Sequence, residues 1–348
     1  MRRHLCGGFA ASALFAFGSA AMAQTTTPTT PAATSPGFAV NHFDPSERGS
    51  EWFAADSLDL RGHGRLAIGV VADWAYRPLV ATDQNGNFLR SIVLNQVVLH
   101  PGATVVLWDR LRLAVDLPVQ VYADGHSVVL NGITYPAPAN NTSLGDLRLG
   151  ADIRLVGAYG DPATLAIGAD VDIPTGDQTS YASDGQARVL PRLMLAGDIG
   201  PFVYAAKFGA TIRSLDTSFG PSRVGTDLFF AASAGLRLAD KKFVIGPEVF
   251  GNSVVNDDAF FSERATPIEG MIGAHYLIAD QVRIGAGIST GLTSGYGTPQ
   301  RRGVFVLEWA PGMPPPDRDH DGILDEVDAC PDLPGLASSD PAKNGCPP

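Results

Sequence analysis

After Ala23 the chain contains no apolar run approaching the roughly 18 residues that a helix needs to cross a bilayer. If the mature protein is integral to a membrane, it crosses as a closed β-barrel, which satisfies its own backbone hydrogen bonds in lipid. Cysteine is scarce: of three, Cys6 lies near the start and only Cys330 and Cys346 follow, so no cysteine-dense framework holds the chain. Positive charge is also short, with 25 Lys and Arg against 36 Asp and Glu and a net charge of -11, which makes the surface a poor partner for nucleic acid. Charged residues amount to 18% against 45% hydrophobic, with 39 glycines among the 348 residues. That composition is neither disordered nor that of an all-helical protein.

What is present begins with an address. Arg2 and Arg3, an apolar run from Phe9 to Phe17, and Ala21-Met22-Ala23 read as a signal peptide, residues 1–23, cut before Gln24. Cys6 precedes the apolar segment instead of ending it, so it does not read as a lipidation site, and the paired arginines fit an ordinary export leader. The exported chain reaches an oxidising compartment in which a disulfide between Cys330 and Cys346 can persist.

The stretch Arg110–Val121, RLRLAVDLPVQV, alternates Leu111, Leu113, Val115, Leu117, Val119 and Val121 with Arg110, Arg112, Ala114, Asp116, Pro118 and Gln120. This is the two-residue period of a strand with one face apolar enough for lipid. About twelve such segments recur over 65–311, near 65–79, 88–99, 108–124, 144–158, 163–174, 187–198, 202–215, 225–239, 242–253, 265–279, 281–293 and 301–310. Tight turns at Tyr159–Pro162, Ile199–Pro201, Asp240-Lys241 and Asp280 alternate with longer polar connections at 125–142, 176–186, 216–224 and 256–263. Sorted connections of this kind fit an all-β, transmembrane antiparallel barrel of the Gram-negative outer membrane, with its N-terminus and C-terminal tail in the periplasm. Trp74, Tyr76, Trp108, Tyr122, Tyr159, Phe202, Tyr204, Phe250, Tyr276, Phe305 and Trp309 sit near segment ends, as an interfacial girdle requires.

Residues 24–37 read as a flexible linker rich in Thr, Pro, Ala and Ser. The segment 38–64 carries Phe43, Trp52 and Phe53, too many aromatics for a spacer. It is expected to dock at the periplasmic mouth or partly inside the barrel, or to form a first edge strand. Opposite the lipid face lie Arg112, Asp116, Asp146, Arg148, Asp152, Arg154, Asp170, Asp172, Arg188, Arg192, Lys207, Arg213, Asp227, Arg237, Glu248, Glu269, Arg283 and Glu308. Such charges need partners or water, so the lumen holds either a weakly selective aqueous pore or a network that closes it. His275 is the one histidine expected to face inward, and Gly273 and Ala274 beside it offer no catalytic partner.

The sharpest motif lies in the tail 312–348. Asp317, Asp319 and Asp321 occupy positions 1, 3 and 5 of a loop, Gly322 position 6, Ile323 a carbonyl at 7, Asp325 position 9 and Asp328 position 12. That is the spacing of a calcium loop, in which hard oxygens converge from several directions on one Ca2+. Asp at position 12 and Cys330-Pro331 where an exit helix would begin depart from an EF-hand. The pattern instead resembles a thrombospondin type 3 repeat, which implies side-chain ligation by the five aspartates and a loop closed by Cys330 and Cys346. Signal, barrel and this tail together resemble the OmpA-family outer-membrane proteins that carry such a linker, as does the stretch Phe43–Trp52. In that family a peptidoglycan-binding domain follows. Here the chain stops at Pro348, so peptidoglycan contact is not carried over.

The expected function is a structural or small-pore outer-membrane barrel, not an enzyme, that contacts outer-membrane lipid and passes small solutes. A barrel that binds ligands or surfaces through its external loops, chiefly 125–142, is the alternative. A lipid-modifying barrel enzyme, with His275 as its base, is the third.

Overall fold

The computed structural model describes residues 33–348 apart from 36, 84, 220–221, 256–258, 313–318, 320 and 325–326. The expected signal peptide and most of the linker lie outside the described residues. Twelve strands form the wall: β1 (Arg65–Thr82), β2 (Phe88–Leu107), β3 in two pieces (Leu111–Asp116 and Val119–Asp124), β4 (Leu147–Val156), β5 (Thr164–Ile173) and β6 (Arg188–Ile199), then β7 (Phe202–Arg213), β8 (Asp227–Leu238), β9 (Phe243–Val254), β10 (Ile268–Ile278), β11 (Val282–Gly291) and β12 (Arg301–Trp309). Each pairs antiparallel with its neighbour, and β12 closes on β1 from Arg301 opposite Tyr76 to Trp309 opposite Ile68. The expected twelve-stranded barrel is the observed one. Among the described residues no helix is long and apolar enough to cross a membrane.

The distribution of side chains is inverted relative to a water-soluble fold. Along β3, Leu113 and Val115 are exposed on the outside while Arg112 and Asp116 are buried inside. The same holds for Leu149 and Ile153 against Asp152 on β4, and for Leu193 against Arg192 on β6. A soluble sandwich would bury the leucines and expose the arginines; only a low-dielectric exterior stabilises this arrangement. Of the eighteen inward charges expected from the alternation, Arg154, Arg188 and Arg213 are half-buried and the others are buried.

Three expectations change. Strand β2 continues to Leu107, past the His100-Pro101 that reads as its end, because Pro101 faces the Leu117-Pro118 break between the two pieces of β3, accepting there a hydrogen bond from the Leu117 N–H at 3.0 Å. A proline costs little where the neighbouring ladder is itself interrupted. His100 is consequently a second inward histidine, 2.9 Å from Asp73. Two members of the expected girdle also point inward: Phe250 is buried, and the Tyr159 hydroxyl donates to Glu51 at 2.9 Å.

Short turns at one mouth and long loops at the other are both present. At the long-loop mouth, Val128–Leu130 and Ile133–Tyr135 form a hairpin, as do Thr217–Phe219 and Ser222–Val224. The residues Ala33–Thr34 add to the first hairpin in parallel with Ile133–Thr134. At the other mouth Gly312 N–H donates to Asp280 O at 2.9 Å. The described N-terminal residues and the start of the tail therefore lie at opposite mouths, which corrects the expectation that both ends share one side. In the tail a disulfide joins Cys330 and Cys346, closing a loop whose chain-entropy contribution is about 3 kcal/mol.

Candidate functional site

Between these mouths the segment 38–64 runs through the lumen. Phe38 and Val40 lie at the long-loop end, Phe43, Trp52, Phe53, Ala54 and Ala55 belong to the central core, and Leu58 and Leu60 follow, all at most 3% exposed. At the short-turn end Gly62 N–H donates to Asp109. The segment expected to dock at a mouth or partly inside the barrel, or to form an edge strand, thus passes along the whole interior. Its central part has no regular secondary structure, so its backbone groups need partners from the wall. Glu248 on β9 accepts the Phe53 and Ala54 N–H groups at 2.9 Å each. Arg283 on β11 donates to Ser50 O at 2.8 Å, and Thr104 on β2 to Arg48 O at 2.9 Å. Internally, Ser46 N–H donates to Phe53 O at 2.8 Å, which folds the segment back on itself.

Charged groups of this plug meet charges of opposite sign on the wall. Arg48 meets Asp116 at 2.8 Å, Glu47 meets Arg192 at 3.2 Å, Glu51 meets Arg237 at 2.5 Å and Asp56 meets Arg112 at 3.0 Å. Asp44 bridges Arg148 and Lys207. Wall-to-wall pairs complete the network: Arg112 with Asp152 at 2.6 Å, Arg192 with Asp170, and Arg302 with Asp73 at 2.5 Å and Glu269 at 2.9 Å. Isolated charges at this depth would each cost several kcal/mol, and removing one partner exposes that cost. The inward residues Asp73, His100, Gln96 and Arg302 were not singled out in the sequence. Following the alternation at every position of segments 65–79, 88–99 and 301–310 would have found Asp73, Gln96 and Arg302, and extending it through Pro101 would have found His100.

Above the plug, towards the long loops, is a cavity of about 170 Å3. Phe43 and His42 of the plug form part of its floor, and Phe229, Phe250, Gln96, Asn252, Arg148, Arg188, Lys207 and Arg213 are among its walls. An aromatic lid lies at the same end. Phe38 packs edge-on against Phe219 at 5.0 Å and Tyr296 at 5.5 Å, and Phe219 against Tyr135 at 4.7 Å. These rings come from the plug and three different loops. A fourth loop adds Tyr181, whose hydroxyl donates to Pro136 O at 2.6 Å. In that loop partial burial of Asp177 is outweighed by donors from Ser180, Thr179 and Asn140, which hold its carboxyl at about 2.

His275 sits in the lumen with its ring 4.1 Å from that of Phe53. In the tail, Asp317 and Asp325 lie outside the described residues. One carboxylate oxygen from each of Asp319, Asp321 and Asp328 lies within 4.8 Å of the others. Gly322 adopts φ 90°, a backbone state that side-chain-bearing residues disfavour. Asp321 accepts the Ile323 N–H and the Gly335 N–H at 2.8 Å each, and Asp328 accepts the Cys330 N–H at 2.7 Å. Asp328 is 9% exposed and its second oxygen is buried with no hydrogen-bond partner.

Residues 64–298 match the family described as "Putative MetA-pathway of phenol degradation". The chain belongs to this family. The match spans most of the barrel and replaces the OmpA-family membership that the tail and the stretch Phe43–Trp52 had suggested. Among solved structures, an outer-membrane channel from Pseudomonas putida F1 shares 14% identity and a TM-score of 0.51, over 72% of this chain and 96% of that one. The NanC porin is similar at 8% identity and a TM-score of 0.44, over 71% of this chain and 100% of that one. The TodX monoaromatic hydrocarbon channel is similar at 10% identity and a TM-score of 0.38, over 78% and 96%. No curated protein matches. At these identities the likeness to the Pseudomonas channel is one of fold: a closed outer-membrane-type barrel.

Proposed function

We propose that the chain is an outer-membrane channel for small aromatic solutes, held shut at rest by its own N-terminal segment. The observation that carries this reading is the lumen: a plug fills its centre and leaves a cavity of about 170 Å3 with Phe43, Phe229 and Phe250 among its lining residues. A cavity of about 150 Å3 in another protein holds one benzene ring, so the space suits a single ring. The family's description, which concerns phenol degradation, and the similar fold of an outer-membrane channel from Pseudomonas putida F1 support the same reading. The long loops are assigned to the cell exterior and the tail to the periplasm, as in other barrels of this kind. Cells expressing the chain are expected to take up a labelled monoaromatic at micromolar concentration faster than cells carrying an empty vector. Equal initial rates would remove the transport role.

The tail is proposed to bind one Ca2+ through Asp317, Asp319, Asp321, Asp325 and Asp328, with Ile323 lending its carbonyl, in the manner of the thrombospondin type 3 repeat it resembles. The convergence of three described carboxylates and the unpartnered, buried oxygen of Asp328 support this assignment. Bound calcium would neutralise carboxylates that otherwise repel one another and would stiffen the tail. Asp321→Ala is expected to weaken calcium binding, read by titration calorimetry, and to leave the barrel's heat-modifiable gel migration unchanged. An isotherm identical to that of the unaltered chain would sink the ligand assignment.

A further inference from the structure

We propose that the cavity between plug and lid selects a neutral, hydroxylated single ring over the hydrocarbon of the same size, and that Gln96 and Asn252 read the hydroxyl. The inference rests on the channel reading above and adds the chemistry by which the site discriminates. It starts from the charges. Four basic and four acidic side chains face the cavity, and they are paired among themselves. Arg188 meets Asp172 at 2.8 Å and Asp146 at 3.3 Å, Arg213 meets Asp227 at 2.5 Å, and Arg148 and Lys207 share Asp44. A free ion entering the cavity finds no uncompensated charge and would have to break a pair to gain one, so a neutral solute is favoured.

The uncharged polar groups are in a different state. Gln96 on β2 is 1% exposed and donates its amide N–H to Gln120 at 2.7 Å, while its carbonyl oxygen has no partner. Asn252 on β9 is 5% exposed, and its amide nitrogen has no partner. Buried amide atoms of this kind cost about 1–3 kcal/mol each when left unmatched, and both side chains line the cavity. A ligand hydroxyl donates one hydrogen bond and accepts others, so it serves either atom, whichever way each amide is turned. The unpaired Nε–H groups of Arg148, Arg188 and Arg213 add donors for a ligand oxygen. Phe43 and Phe250, with ring centroids 5.5 Å apart, offer the apolar wall against which the ring would lie. A hydrocarbon of equal size would fill the space and leave the amide atoms unmatched, which is how a site built to hydrogen-bond a hydroxyl rejects the analogue that lacks it.

The test uses the full chain in detergent micelles, with 19F NMR of 4-fluorophenol and fluorobenzene read against protein-free micelles. The unaltered protein is expected to bind 4-fluorophenol saturably and more tightly than fluorobenzene. Asn252→Leu and Gln96→Met, each removing one amide at similar volume, are expected to lower the preference by about three- to ten-fold, the worth of one net neutral hydrogen bond. Heat-modifiable migration shows which variants fold, and either one that does suffices. Equal affinity of the unaltered protein for both compounds, or an unchanged preference in a folded variant, overturns the selection while leaving the channel reading standing. No saturable binding of either compound overturns the aromatic site itself, and the selection with it.

Discussion

Excision of residues 38–60 is expected to convert a barrel that is closed for most of a planar-bilayer recording into one that conducts continuously. Twelve strands enclose more space than the eight whose side chains just fill the interior, and here the difference is taken up by the plug. Removing it leaves Arg112, Arg192, Arg237 and Glu248 without their partners from the plug. Water that enters the emptied lumen then hydrates them, so the wall charges do not face the cost of an isolated ion in a dry interior. The strand ladder and the lipid-facing belt are untouched, and faster gel migration before boiling reports that the barrel has formed. A folded, plug-less barrel that conducts no more than the intact chain would show that the loop-side lid, and not the plug, is the barrier.

Arg302→Ala is expected to be among the most destabilising single substitutions in the protein, at about 3–5 kcal/mol. Arg302 has no exposed side-chain surface. Its guanidinium donates to Asp73 at 2.5 Å, to both oxygens of Glu269 at 2.9 and 3.0 Å, and to Asn41 of the plug at 3.0 Å, and lies 5.2 Å from the Phe43 ring centre. Truncation leaves two buried carboxylates without their shared cation and loosens the plug at the same point. Arg223→Ala is the control: its pair with Asp216 is also short, at 2.7 Å, but the two side chains are 37% and 60% exposed, and exposed pairs contribute about 0–1 kcal/mol. The urea midpoint in detergent separates the two. Similar midpoints for both variants would mean that the lumen is wet enough to screen Arg302, and the network would then contribute little to stability.

Several of these features were legible in the chain as written. Lipid on one side and a polar interior on the other force alternation at every second residue, so strands such as Thr164–Ile173 and Val282–Gly291 announce themselves without any tertiary information. The aspartate spacing of the tail is legible for a similar reason: it lies within a short, contiguous stretch. Family membership was harder to read, because the barrel shows a pattern shared by many outer-membrane proteins and the tail shows a specific motif. The resemblance consequently followed the tail, while the match follows residues 64–298.

The sequence by itself determined the number of strands, which face of each meets lipid, and the acidic loop near the end, since each depends on residues within a few positions of one another. The tertiary structure decided the path of residues 38–64, the pairing of Glu47, Arg48, Glu51 and Asp56 with three separate strands, the inward turn of His100, and the cavity with its two unmatched amides. The plug shows no period because a segment buried inside a charged tube is shaped by the wall around it. Its wall partners include His100, 52 residues from Arg48, and Arg302, 261 residues from Asn41, and only closure of the barrel brings them within reach.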